Sequence, residues 1–304
     1  MDEDKFKTLV SVCIATYKRE KLLERLLLSI TKQQLEKNIE IEVIVTDNDP
    51  DSSTKSIIEK IKNSHSIILK YFVQSSKNIS LTRNMCVANS SGDYICFIDD
   101  DEIADENWVS NLLSCLMKFN ADGAFGYVEP IFDAKIPDHF KRREFYFSPV
   151  GETGTTAKFF YTTNCIIKAE FIKSEETPFD PNYGLTGGED VHLFERLFYK
   201  GAKFINCKTA LTFEYIPSER ASYKYLFNRS LRGGQSFARR RLERNNTLVY
   251  KMMILLKSII MIICYSVLLV FIFYSENFRI KYFQILGASF GKLRSLLGFY
   301  KNLY

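Results

Sequence analysis

The sequence predicts an α/β protein, with a Rossmann-like, mainly parallel sheet flanked by helices and a hydrophobic, amphipathic helical tail at the C-terminus. Two features predict this class. Through the N-terminal part, short apolar runs alternate with amphipathic segments, as in consecutive β-α-β units with parallel strands. Near the C-terminus, residues 258–274 form a run of 17 residues without a charge. We therefore expect a sheet domain followed by a membrane-associated tail.

Four strands and four helices are predicted in order along the N-terminal part. Each strand is a continuous or alternating apolar run, and each helix has apolar residues spaced three and four apart. The predicted strands are residues 8–16, 39–49, 66–73 and 93–99, and the predicted helices are residues 21–30, 53–63, 80–92 and 105–119. Ligands bind such sheets at the carboxyl ends of the strands. Thr16, Asp47 and the triplet Asp99–Asp101 stand at three such ends, which predicts one site at that edge.

The second half of the chain has a less regular pattern. Residues 123–188 mix short apolar runs with turn-forming residues, so short strands and loops are expected there. A clear helix is predicted over residues 189–200, and Gly201 ends it. Glu189 and Asp190 lie in its first turn, where the helix dipole favours negative charge. Capping of this helix would by itself explain both acidic residues.

The charge is unevenly distributed along the 304 residues. Of the net charge of +5, residues 219–304 carry +12, which leaves −7 for the first 218 residues. An acidic body with a basic tail argues against nucleic-acid binding and favours an enzyme held at a membrane surface.

The tail leaves two membrane arrangements open. A spanning helix needs about 17 to 25 residues, so residues 252–274 are long enough if the Lys257 ammonium reaches the interface. The tail would make either a single crossing or a re-entrant or surface-lying hairpin with both ends cytoplasmic. The basic segment 238–244 would stay at the cytoplasmic face. No signal peptide is expected, and a helix buried in a soluble core is disfavoured by the basic flanks.

The triplet Asp99, Asp100 and Asp101 ends a buried strand with no Lys or Arg close to it in the sequence. Adjacent carboxylates repel one another, so the arrangement suits a hard divalent cation, Mn²⁺ or Mg²⁺. Such an ion takes one or two protein carboxylates and completes its shell with water and phosphate oxygens. The alternative is an acidic turn that caps the helix starting near Asp105.

Five segments occur in an order and spacing that resemble the nucleotide-diphospho-sugar transferases of glycosyltransferase family 2. They are SVCIATYKRE, VIVTDND, SLTRN, the aspartate triplet and GGED, and the resemblance covers about residues 8–235. It implies the GT-A fold and an inverting, metal-dependent transfer of one sugar from a nucleotide sugar, such as a UDP-sugar, to a hydroxyl. Together with the tail, it implies a glycan or lipid-linked glycan acceptor in cell-surface polysaccharide synthesis.

The resemblance also implies roles for single residues. Contacts with the nucleotide sugar are implied for Ala15, Thr16, Tyr17, Arg19, Asp47, Arg83, Asp99, Asp100, Asn164, Arg229 and Arg232. Within this set, Asp47 would accept a hydrogen bond from uracil, and Arg83 would face the nucleotide or its phosphates. Arg229 and Arg232 would close over the diphosphate, although a membrane-facing basic patch is the alternative for both.

The metal and the base are implied in the same way. Asp101, assisted by Asp99, would hold Mn²⁺ or Mg²⁺. Asp190 would be the general base that takes the acceptor proton, with Glu189 as its neighbour and alternative.

The implied domains are a catalytic domain over residues 1–235 and a membrane-associated tail over residues 236–304. The catalytic domain would divide into a nucleotide-binding half, about 1–122, and an acceptor-binding half, about 123–235. Two other functions remain open. A sugar nucleotidyltransferase should have a glycine-rich loop after the first strand, where this chain has ATYKREKLL. A membrane-tethered protein that only binds a nucleotide sugar would not need Asp190.

Overall fold

The computed structural model describes residues 7–267 and 275–300. The chain forms two compact units. The first, the sheet unit, comprises residues up to 130 with 148–184 and 189–215. The second, the helical unit, comprises residues 131–147, 185–188 and 216 onward. The division of the chain at residue 235 stays a prediction about domains, and that residue lies inside a helix.

An eight-stranded sheet forms the centre of the sheet unit. Its strands are β1 Thr8–Thr16, β2 Ile39–Asp47, β3 Ile68–Val73, β4 Tyr94–Ile98, β5 Glu102–Ala104, β6 Gly123–Phe132, β7 Asn164–Lys168 and β8 Phe204–Ile216. The strand order is β3-β2-β1-β4-β7-β6-β8-β5. The pairs β1–β2, β1–β4 and β2–β3 are parallel, whereas the pairs β4–β7, β6–β7 and β5–β8 are antiparallel. The predicted α/β class is confirmed, and the sheet is mixed rather than mainly parallel.

The helices are α1 Glu20–Ile30, α2 Lys55–Ser64, α3 Ile79–Ala88, α4 Trp108–Lys118, α5 Ala169–Lys173, α6 Glu189–Tyr199, α7 Tyr223–Arg244, α8 Leu248–Val267 and α9 Glu276–Leu296. The predicted helices of the first half are present with shifts of a few residues at their ends. α3 begins after Asn78, whose side chain accepts a hydrogen bond from the Leu81 amide at 3.1 Å. Residues 268–274, which complete the predicted apolar run, lie outside the described residues.

Helices cover both faces of the sheet. Neighbouring residues Val12 and Cys13 of β1 belong to different apolar clusters, because strand side chains alternate between the two faces. The cluster containing Val12 also takes in buried residues of α1, α2 and α4. The cluster containing Cys13 takes in buried residues of α3 and α6. This burial on both faces fixes the register of β1, and with it the end of the strand that carries Thr16.

Three glycines allow α7 and α9 of the helical unit to pack closely. A Cβ atom added at Gly234 of α7 would lie 2.0 Å from the Ala288 carbonyl oxygen. On α9, added Cβ atoms at Gly287 and Gly291 would meet α7 backbone oxygens at 2.4 and 2.0 Å. The two backbones are therefore in direct contact, which no larger residue at these positions permits.

We expect Gly234→Ala to destabilise the helical unit by about 1–3 kcal/mol, because the new methyl group must push the α9 backbone away. The adjacent Gly233 is the matched control, since an added Cβ atom there meets nothing within 4 Å. Gly233→Ala should leave stability unchanged or raise it by up to about 1 kcal/mol through helix propensity. Urea denaturation of both variants in detergent measures the difference, and equal shifts would contradict the close packing.

Candidate active site

The carboxyl ends of three parallel strands meet at one edge of the sheet. Thr16 at the end of β1 lies directly opposite Asp47 at the end of β2. β4, on the other side of β1, ends at Ile98, and the aspartate triplet follows at once. The structure thus brings together the residues that the sequence places at this edge.

Asp100 ties the end of β1 to the triplet. One oxygen of its buried carboxylate accepts a hydrogen bond from the Thr16 hydroxyl at 2.8 Å, and the other accepts one from Arg19 at 2.8 Å. Burial raises the pKa of Asp100 to about 6, while the Arg19 charge limits the rise. Both of its oxygens are used within the protein, so Asp100 orients its neighbours.

Asp101 and Arg19 form a second contact at the same edge. Arg19 also reaches the Asp101 carboxylate at 3.2 Å, and Arg25 donates to the Asp101 carbonyl oxygen at 3.1 Å. The Asp101 side chain keeps 13% of its surface exposed. The triplet therefore has positive neighbours in space that it lacks in the sequence.

Arg83 joins the triplet to the first turn of α6. Its guanidinium donates to Asp99 at 3.1 Å and also to the buried Glu189. Arg83 is only 8% exposed, so it is not a solvated helix arginine. It contacts carboxylates here, whereas the family resemblance implies a contact with the nucleotide or its phosphates.

The carboxylates around Arg83 influence one another's ionisation. Burial raises the pKa of Glu189 to about 7, with Arg83 acting against the rise and the Asp190 charge adding to it. Burial likewise raises the pKa of Asp99, with Arg83 acting against the rise and the Asp101 and Asp190 charges adding to it. One oxygen of the Asp190 carboxylate accepts a hydrogen bond from the Val191 backbone amide at 2.7 Å. Four groups named from the sequence, namely Arg83, Asp99, Glu189 and Asp190, thus form one cluster.

Asp47 lies beneath the surface of this edge. Its carboxylate is fully buried and accepts hydrogen bonds from the Asp49 amide, the Thr54 amide and hydroxyl, and the Tyr71 hydroxyl. These bonds join the end of β2 to the start of α2. The contact between Asp47 and uracil that the resemblance implies stays a prediction, and it would require the fully buried carboxylate to become accessible.

Asn164 is also buried, and its side chain makes four hydrogen bonds inside the sheet unit. Its oxygen accepts the Trp108 indole N–H at 2.9 Å. Its amide nitrogen donates to the carbonyl oxygens of Tyr127 and Ala210 and to the Thr212 hydroxyl. Every polar atom of the side chain therefore has a partner inside the protein, and the contact with the nucleotide sugar that the resemblance implies stays a prediction.

Asn164→Ala should lower the free energy of unfolding by at least about 2 kcal/mol, because Trp108 and its other partners lose their bonds in the interior. The control is Asn63→Ala on the exposed side of α2, which should have almost no effect. Thermal unfolding measures the stability, and the KM for the donor tests whether Asn164 contacts the nucleotide sugar. An unchanged melting temperature with a raised KM would place Asn164 in the sugar pocket after all.

Two lysines that the sequence reasoning missed lie beside Tyr17. The ammonium groups of Lys18 and Lys77 are 5.6 and 5.0 Å from the centre of its ring. Lys18 has a backbone φ of +53°, an uncommon conformation for a residue with a side chain, and its ammonium is 3.7 Å from Asp49. The position of Lys18 two residues after the end of the first strand was the available signal. A cationic group of this kind suits a diphosphate.

Glu102 is the second missed feature. Its side chain is fully buried, and among the described residues neither carboxylate oxygen has a partner with good hydrogen-bond geometry, although the Thr212 hydroxyl lies close enough to oppose the rise in its pKa. On the neighbouring strand it stands opposite Glu214. Burial and repulsion from Asp99, Glu214 and Asp101 raise the pKa of Glu102 well above its usual value. A fourth acidic residue directly after the triplet was visible in the sequence.

Arg229 and Arg232 lie on α7 in the helical unit. Arg229 donates to the Tyr146 carbonyl oxygen, and burial lowers the pKa of the half-buried Arg232. Their contact with a diphosphate stays a prediction. Among residues 7–267 and 275–300, no three His, Cys, Asp or Glu side chains converge in a geometry that could hold a metal ion.

The fold is that of an α/β protein, a class in which ligands bind at the carboxyl edge of the sheet, where the acidic cluster lies here. The model of the family described as "Glycosyl transferase family 2" matches residues 11–174. This match covers more than half of the chain, which therefore belongs to glycosyltransferase family 2. The protein is a transferase that uses a nucleotide sugar, and its fold is of the GT-A type.

Several curated proteins are similar to this chain. The succinoglycan biosynthesis protein ExoM of Rhizobium meliloti is 28% identical over 231 residues, covering 76% of this chain and 74% of ExoM. The abequosyltransferase RfbV of Salmonella typhimurium is 35% identical over 103 residues, which are 33% of this chain and 30% of that protein. A Campylobacter jejuni GalNAc(5)-diNAcBac-PP-undecaprenol beta-1,3-glucosyltransferase is 29% identical over 38% of this chain and 35% of its own length. The last two similarities span only about a third of each relative.

Two solved structures show the same fold. Mannosyltransferase PcManGT from Pyrobaculum calidifontis, in complex with GDP-Man and Mn²⁺, has a TM-score of 0.62 and 15% identity, covering 80% of this chain and 66% of its own. S. aureus TarS 1-349 in complex with UDP-GlcNAc has a TM-score of 0.53 and 17% identity, covering 95% of this chain and 92% of its own. At these identities the similarity concerns the fold alone.

Proposed function

We propose that the protein is an inverting, metal-dependent glycosyltransferase that moves one sugar from a UDP-sugar to a hydroxyl of a glycan or lipid-linked glycan in cell-surface polysaccharide synthesis. The observation that carries this proposal is the bridge made by Arg83 between Asp99 and Glu189. This bridge joins the acidic triplet at the end of β4 to α6, the helix that carries Asp190. The names of ExoM and the Campylobacter enzyme support the acceptor class, and the TarS complex supports the donor.

Asp190 is the better placed of the two acidic residues to act as the general base. It lies next to Glu189, but it is partly exposed, whereas Glu189 is 5% exposed and paired with Arg83. In the proposed step, Asp190 takes the proton of the acceptor hydroxyl while that oxygen bonds to the anomeric carbon. The bond from the same carbon to the diphosphate oxygen breaks, and its electron pair leaves with UDP. A single displacement of this kind inverts the configuration at the anomeric carbon.

Asp101 and Asp99 would hold the divalent cation, Mn²⁺ or Mg²⁺. Two protein carboxylates meet the needs of such an ion when diphosphate oxygens and water complete its shell, so three converging acidic side chains are not required. The carboxylate of Glu102, which follows Asp101 in the sequence and is buried near the charges of Asp99, Asp101 and Glu214, fits a site that gains positive charge. When bound, the ion would neutralise charge on the departing diphosphate.

The proposal is tested by titration calorimetry of UDP with the whole protein, with Mn²⁺ and with EDTA. We expect tight binding that requires the ion and that Asp101→Ala weakens at least tenfold, because the variant removes one of the two proposed ligands. Asp138→Ala is the control, since its side chain is 95% exposed in the helical unit, and it should bind UDP normally. UDP binding that is indifferent to both Mn²⁺ and Asp101 would overturn the metal assignment, and tighter binding of GDP or dTDP would overturn the donor.

The proposed location is the cytoplasmic face of the cell membrane, with the membrane surface as a partner. Within the described part of the chain, one helix is long and apolar enough to cross a membrane. This helix is α8, which has 20 residues with a mean hydropathy of 2.0, and 11% of its most apolar stretch is buried. The basic residues on either side of it suit anionic lipid.

A further inference from the structure

The apolar helix α8 is attached to the rest of the helical unit along one narrow side. Ile254 and Ser258, one turn apart, are 6% and 2% exposed. Most other apolar side chains of α8 are open to the surroundings. Exposed fractions between 37% and 80% are found at Leu248, Val249, Met252, Met253, Leu256, Ile259, Ile260, Met261, Ile263 and Val267. A continuous apolar surface of this size is unfavourable in water and needs an apolar partner.

α8 packs mainly against α9, and α9 runs in the same direction as α7. The Tyr223 hydroxyl near the start of α7 bonds to Glu276 at the start of α9, and Arg239 near the end of α7 lies 5.1 Å from the Tyr300 ring just beyond α9. Gly287 and Gly291 contact successive turns of α7 between these points. α7 and α9 thus lie side by side along most of their length.

The partners of α7 and α9 cannot enter hydrocarbon. Arg229 of α7 donates to the Tyr146 carbonyl oxygen, and Gln284 of α9 donates to the Phe145 carbonyl oxygen at 3.1 Å. The Phe145 carbonyl ends a 3₁₀ helix of three residues and the Tyr146 carbonyl lies in the turn after it, and backbone of this kind does not occur exposed to lipid within a bilayer. α7 also carries charged residues through its length. A crossing by α8 would pull α9 and its partners into the bilayer, or it would break the contacts that bury Ile254 and Ser258 of α8 against the helical unit.

We infer that α8 lies along the membrane surface as an interfacial helix, held to the protein by α9, and does not cross the bilayer. This inference rests on the membrane association proposed above. The apolar face enters the boundary between headgroups and acyl chains, typically by about 5–10 Å. The exposed Lys257 extends to anionic headgroups, as do basic residues at the end of α7.

Three positions on one face of α8 test the orientation. Val249, Ile260 and Val267 are 80%, 55% and 70% exposed, and their spacing of 11 and 7 residues places them in nearly the same direction around the helix. Single cysteines at these sites, in a Cys264→Ser background, would each carry a nitroxide label. The background is suitable because the other described cysteines are buried. The full-length protein is reconstituted in vesicles of phosphatidylglycerol and phosphatidylcholine.

Power-saturation measurements then report the depth of each label. An interfacial helix places the three labels at equal depth within about 5 Å, close to the headgroups. A crossing helix would separate the first and last labels by about 27 Å along the membrane normal, since 18 residues rise 1.5 Å each. Such a gradient, or a central label at the bilayer midplane, would overturn the inference. Labels that remain in water while UDP binding persists would overturn membrane association and leave the proposed enzymatic function intact.

Discussion

Asp190→Asn should lower kcat for sugar transfer about 10²- to 10⁴-fold, because an amide cannot accept the proton of the acceptor hydroxyl. UDP affinity should stay within twofold of the original value. The substitution keeps the size of the side chain and the oxygen that accepts the Val191 amide. Initial rates with a UDP-sugar and a glycan acceptor, together with UDP titration, make the comparison.

Two further variants serve as the control and as the test of the alternative base. Glu170→Gln, at an exposed position on α5, is the matched acid-to-amide control and should be fully active. Glu189→Gln should retain a carbonyl oxygen for Arg83 and much of the activity. Loss of turnover in Glu189→Gln with an active Asp190→Asn would move the base to Glu189. Normal nucleotide-sugar binding without turnover in the original protein would favour the non-catalytic binding function.

Arg83→Met should destabilise the sheet unit by roughly 3–5 kcal/mol at pH 8, because it leaves the buried carboxylate of Glu189 without a positive partner. The loss should be smaller at pH 5. The pKa of Glu189 is already raised to about 7, and removal of Arg83 raises it further. A group with a raised pKa in the folded state contributes stability at low pH that is lost as the pH rises through that value. Urea denaturation at the two pH values measures this difference.

The double variant Arg83→Met/Glu189→Leu separates charge from packing. Without the buried carboxylate, much of the stability at pH 8 should return and the added pH dependence should disappear. A loss that is equal at pH 5 and pH 8, and that the second substitution does not relieve, would mean that Arg83 acts through packing against Phe179, whose ring lies 5.9 Å from its guanidinium.

The place of the site was predictable from the sequence, and most of its contacts were not. β1, β2 and β4 could be read from apolar runs, and their parallel pairing follows from the helices between them. β5 has only three residues and follows the acidic triplet, so no pattern indicates it. β8 has thirteen residues and was not predicted either. The antiparallel half of the sheet forms between strands that are far apart in the sequence. The local spacing of apolar residues does not indicate which of these strands pair.

The sequence by itself determined the α/β class, the edge of the sheet where Thr16 and the triplet end their strands, and the apolar character of α8. These properties depend on the spacing of apolar side chains along the sequence and on the right-handed connection of β-α-β units. Both operate over short stretches of chain. Only the tertiary structure decided that Arg19 and Arg83 compensate the triplet and that Asn164 is buried with all its partners. Arg83 and Glu189 are 106 residues apart in sequence. Whether a polar group faces a ligand or a neighbour depends on the burial and the partners that the whole fold assembles around it.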